Sequence, residues 1–135
     1  MAKNRMMILG PKESFIIRVL KKKVQDSGCE CEYLPMTVDD INESLRGEEP
    51  LIALYLDEEV KPHPDVLHFL IDRMEEKDMQ AILIGEADDL KEYADKFPMG
   101  LVYMSFERPV DNEGFVKSVK EYFKKLALGE FKKRI

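Results

Sequence analysis

The chain has 135 residues, 44% apolar and 36% charged, with a formal net charge of −6. That length suits one domain with a proper hydrophobic core. The acidic balance argues against phosphate-backbone binding as the main activity, and no apolar run is long enough to span a bilayer.

The opening stretch MAKNRMMILG has no small-residue cleavage site, so no signal peptide is expected and the protein is placed in the cytoplasm. Within it, residues 5–9 (RMMIL) form an apolar run closed by Gly10 and Pro11. Ile16, Ile17, Leu20 and Val24 then recur at helical spacing, with Ser14 as the cap and Gly28 as the stop. CECEYLPM alternates with period two and reads as a strand. Thr37 caps a short helix with Ile41 and Leu45 on its apolar face, and Gly47 ends it.

A third strand follows in LIALYLDEEV, residues 51–60, whose apolar part stops at Asp57, Glu58 and Glu59. Pro62 and Pro64 break the chain. Asp65 is expected to cap a helix with the stripe Val66, Leu67, Leu70, Ile71 and Met74. MQAILIG (79–85) is a fourth strand, 88–96 a short polar helix and GLVYMSF (100–106) a fifth strand. Asp111 or Asn112 caps a last helix carrying Phe115, Val116, Val119, Tyr122, Phe123 and Leu126 on one face.

Five strand–helix units with nearly continuous apolar strands predict an α/β fold: a doubly wound five-stranded parallel sheet of flavodoxin-like topology in a single domain. Such sheets bind ligands at the carboxyl ends of their strands. The expected crevice is therefore built from Gly10, Pro11, Lys12, Glu13, Asp57, Glu58, Gly85, Glu86, Arg108 and Pro109.

Other features carry less. Cys29 and Cys31 share a strand face, diverge poorly for a disulfide and lack the second pair of a zinc site, so reduced thiols are expected. His63 and His68 are five apart, off a common helical face. The lysine runs at 21–23 and near the end read as solvated helix faces and a tail. GPKES after the first strand is no phosphate loop, so a flavin or other cofactor is not expected.

Residues 4–127 resemble a response-regulator receiver domain, the phosphoacceptor module of bacterial two-component signalling. The resemblance lies in RMMILGPKE, SGCECEYL, LIALYLDEEV, AILIGEADD and SFERPVDNEGFVKSV. It implies a phosphoacceptor at Asp57. It also implies an acidic magnesium-binding pair where Gly10 and Pro11 stand, and a Thr or Ser where Gly85 stands. A lysine is implied at Arg108 before Pro109, with an aromatic switch residue at Ser105. Phosphoryl transfer needs a metal to neutralise the transferring group, and Asp57 alone cannot hold one. Glu13 and Glu58 are the remaining carboxylates that could contribute.

These substitutions suggest a pseudo-receiver: a non-catalytic signalling module without a metal, acting through protein contacts. Asp57 is then expected to form an ion pair with Arg108 or Lys12. The alternatives are an atypical receiver phosphorylated on Asp57 with Mg2+, and a small-molecule binding module. The family resemblance further implies a cis Arg108–Pro109 bond. It also implies a homodimer through the fourth helix, fifth strand and fifth helix, presenting Asp88, Asp89, Lys91, Glu92, Lys117, Lys120 and Glu121. Residues 128–135 read as a linker or the start of another domain. Their end, KKRI, resembles the opening of a first strand, so a second receiver after Ile135 is one expected partner, along with a neighbouring domain or a separate protein.

Overall fold

A computed structural model describes residues 4–45, 50–77 and 79–128. The strands are β1 (Arg5–Gly10), β2 (Glu30–Pro35), β3 (Leu51–Tyr55), β4 (Ala81–Gly85) and β5 (Val102–Glu107). The helices are α1 (Phe15–Asp26), α2 (Val38–Ser44), α3 (Pro64–Lys77), α4 (Ala87–Lys96) and α5 (Asn112–Ala127). All strand pairs are parallel, in the order β2-β1-β3-β4-β5. The five strand–helix units and the parallel sheet are therefore as expected.

The apolar continuity of the strands has a direct cause. Alternate residues of each central strand enter opposite cores. Met7, Leu9, Ile52 and Leu54 pack under α2, α3 and α4. Met6, Ile8, Ala53 and Tyr55 pack under α1 and α5. A strand that buries both faces has no polar positions to spare.

The local signals hold where backbone chemistry decides them. The Ser14 hydroxyl accepts from the Ile17 N–H at 3.3 Å, and Thr37 accepts from Asp40 at 3.2 Å. Gly28 follows α1 with φ of 96°, a left-handed conformation that a glycine takes without strain. The Arg108–Pro109 peptide bond is cis.

Several boundaries and contacts differ from expectation. Asp65 does not cap α3. The helix starts two residues earlier than such a cap would allow, at Pro64, a favoured first position for proline, and the His63 ring Nδ1 accepts from the Asp65 N–H at 3.1 Å. Gly100 is not in β5: it turns with φ of 89°, and β5 starts at Val102 with a register shift against β4. Ile16 sits off the buried stripe of α1 and is exposed. The expected stop at Gly47 and the KKRI ending lie outside the described residues.

Cys29 and Cys31 are buried free thiols. Burial pushes them up to about 11 and about 12 respectively, so they stay protonated at neutral pH. No helix among the described residues is long and apolar enough to cross a membrane.

Candidate functional site

The sheet order reverses direction around β1, so the loops after β1 and β3 diverge and leave a crevice between them. The β3 backbone leads into it: the Leu56 N–H donates to the Ile84 carbonyl at 2.7 Å, placing Asp57 just beyond the sheet. The Arg108 N–H donates to the Gly85 carbonyl at 3.0 Å and brings the β5 exit beside it.

Arg108 is the centre of the site. Its side chain is 17% exposed. The guanidinium lies 5.3 Å from the centroid of the Tyr55 ring, and Nη1 donates to the Tyr55 hydroxyl at 3.1 Å. Nη2 stands 3.2 Å from Glu86 and 3.5 Å from Glu58. Nε and Nη2 are buried without a well-aligned acceptor, so charge and ring stacking hold the group more than directed hydrogen bonds do. A hydrogen bond from Glu58 raises the pKa of Glu86, working against the Arg108 charge. The two carboxyls therefore share the cation.

The expected Asp57–Arg108 ion pair is not formed, nor is one with Lys12. Asp57 instead turns onto its own loop, where Oδ1 accepts from the Glu59 N–H at 2.8 Å and the Val60 N–H at 3.2 Å. Local backbone donors lie closer than either cation. They also set its acidity. The Glu59 bond lowers the pKa most; partial burial opposes this, and Val60, Arg108 and Lys12 lower it further. A depressed carboxyl contributes stability above its unfolded pKa and loses it as pH falls through the folded one. Asp57→Asn is therefore expected to flatten the acid limb of the stability curve below about pH 4. A carboxyl 13C titration of the native protein should place the Asp57 midpoint below that of an ordinary aspartate.

Glu13 is also withdrawn, paired with Lys21 of α1 at 2.5 Å. Gly10 and Gly85 are tight as well as small. A Cβ on Gly10 would stand 3.0 Å from Ile17 Cδ1, and one on Gly85 3.0 Å from Leu56 Cβ. Among the described residues no three His, Cys, Asp or Glu side chains gather as a metal-ligating group. Ser105 is exposed, and the aromatic next to it, Phe106, packs on Phe115 at 5.3 Å.

Two participants went unnoticed in the sequence. Tyr55 reads as one more apolar residue, although a tyrosine at the last buried position of a strand signals a hydroxyl in need of a partner. Lys61 donates to the Asp57 carbonyl at 2.7 Å and pairs with Asp89 of α4 at 2.6 Å, tying the crevice loop to that helix. Its partner is 28 residues away and left no local signal. Of the charged residues expected on the dimer face, Lys117, Lys120 and Glu121 line a cleft with Lys23 and Asp26 of α1. The side of α5 toward β5 carries Ser118 and Lys125, which contact Met104 and Tyr103.

Solved structures share the fold that carries this crevice. A signal receiver domain of an HD domain-containing protein from Pseudomonas fluorescens Pf-5 matches with a TM-score of 0.68 and 15% identity, over 91% of this chain and 96% of that one. A CheY-like response regulator receiver domain protein from Methanospirillum hungatei JF-1 matches at 0.66 and 13%, over 92% and 96%. This is the fold of response-regulator receiver domains. A third match is described as a novel family of redox sensors in the streptococci evolved from two-component response regulators. It has a TM-score of 0.73 and 13% identity, and covers 98% of this chain. This chain spans 56% of that longer one. No family model matches the sequence, and no curated protein matches it. At these identities the likeness is one of the receiver fold alone.

Proposed function

We propose that this receiver-fold protein is a pseudo-receiver: a non-catalytic module of two-component signalling that works through protein contacts in the cytoplasm, without magnesium. One observation carries the reading. Arg108, the cation in position to meet a phosphoryl group, is already engaged by Tyr55, Glu58 and Glu86. A phosphoryl group on Asp57 would have to displace two carboxylates from it with no metal to screen the added charge.

The test is a titration of the protein with magnesium and beryllofluoride, a phosphoryl mimic, followed by backbone amide shifts. No saturable shift at millimolar magnesium is the expected result. Saturable shifts centred on Asp57, Gly85 and Arg108 would establish the other reading, an atypical receiver phosphorylated on Asp57.

A further inference from the structure

β2 is an edge strand, paired with β1 alone. A cleft of about 760 Å3 opens at its start, with Asn4, Gln25, Gly28, Cys29 and Cys31 among its walls. A second cleft of about 330 Å3, on the α5 side, also reaches Cys29 and shares Asn4 and Gly28 with the first. Each cysteine is only 7% exposed. Both nevertheless border the larger cleft, which is a path for a small ion.

The two thiols stand two residues apart in extended chain and enter the same core, beneath α1 and α5. They are close enough that a charge on Cys29 opposes ionisation of Cys31. Same-face neighbours on a strand lie about 6.6 Å apart, beyond the Cβ separation of about 4.5 Å that a disulfide tolerates. A linear sulfur–metal–sulfur bridge, with bonds of about 2.3 Å, spans about 4.6 Å and suits that spacing. The backbone beneath is held: the Gln25 side-chain amide donates to the Cys31 carbonyl at 2.8 Å. The Cys29 thiol is loosely engaged, shared between the Asn4 carbonyl at 3.5 Å and the Glu30 carbonyl at 3.3 Å.

We propose that Cys29 and Cys31 form a two-coordinate site for one copper(I) ion at the flank of β2. The ligand set selects the ion. Among the described residues no third His, Cys, Asp or Glu joins the pair, and structural zinc requires four ligands. Two soft thiolates in linear geometry match a soft monovalent cation. Binding breaks two S–H bonds, forms two S–Cu bonds and releases two protons to solvent. Copper enters and stays as copper(I), so no oxidant or reductant takes part. The complex keeps one negative charge, and the Lys21 ammonium, which favours the Cys31 thiolate, offsets part of it. The site lies beside the amino end of the sheet, where Met6 pairs with Cys31, and the crevice lies at the opposite end.

The test is a copper(I) titration of the reduced full chain, without oxygen, in competition with the chromophoric chelator bicinchoninate. The wild type is expected to withdraw one copper ion per chain and to remain monomeric in sedimentation. Cys29→Ser and Cys31→Ser should each weaken uptake about a hundredfold or more, because one thiol alone loses the chelate advantage. The double variant should fall within about threefold of the singles for the same reason. Cys31→Ala, which buries no hydroxyl, should match Cys31→Ser, and native amide spectra of the copper-free variants separate ligand loss from misfolding. X-ray absorption of the wild-type complex should show two sulfur ligands. Copper left with bicinchoninate, a serine variant with native spectra that binds as the wild type does, a copper-bridged dimer, or nitrogen and oxygen ligands at the metal would each overturn the proposal.

Discussion

Truncating Phe115 to alanine is expected to remove about 3–5 kcal/mol of folding stability. The ring is fully buried in the core beneath α1 and α5, and it meets Phe106 edge to face at 5.3 Å. The strand residues of the same core are held in the sheet ladder, which limits their collapse into the void. Domains of this kind have a total stability of about 5–15 kcal/mol, so the variant would stand near unfolding. Urea denaturation should show a large fall in midpoint with an unchanged slope. Phe115→Leu, which keeps most of the volume, should lose much less. A loss below about 1.5 kcal/mol for the alanine variant would mean that α5 is not seated on the sheet as described.

Restoring receiver residues to the crevice is expected to damage the protein without restoring the site. Gly10→Asp places a Cβ 3.0 Å from Ile17 Cδ1, and Ile17 is itself buried in the core. The new carboxylate also loses water at a buried position. Gly85→Thr places a branched Cβ 3.0 Å from Leu56 Cβ and 3.5 Å from the Leu56 carbonyl. Overpacking of this kind costs about 1–3 kcal/mol at each position. The two sites flank consecutive residues, Tyr55 and Leu56, so their effects should not simply add. Chemical denaturation measures the loss, and beryllofluoride titration of the double variant should remain without saturable shifts. A double variant of native stability that binds beryllofluoride with magnesium would show that residue identity alone separates this crevice from a working receiver site.

The legibility of the sequence divides by the range of the interaction. Ser14, Thr37 and Gly28 act on backbone groups within a few residues, and each does what its position predicts. Asp65 and Gly100 fail for an equally local reason: a neighbour competes better. Proline at 64 starts α3 two residues early, and a glycine before Leu101 makes a turn more readily than a strand. Asp57 was placed correctly by the end of an apolar run, but its partner was not. Two backbone N–H groups on its own loop lie closer than Arg108, whose guanidinium is taken by Tyr55, Glu58 and Glu86.

By itself the sequence determined the alternation of strands and helices, the doubly buried sheet and the residues at its carboxyl edge. Hydrophobic periodicity and caps are properties of neighbouring residues, and burial on both faces leaves its mark on every strand position. Only the tertiary structure decided how that edge is wired: Arg108 on Tyr55 and Lys61 on Asp89. Each of these depends on distances set by packing between segments far apart in the chain. Several cations and carboxylates of similar reach compete there, and composition does not rank them.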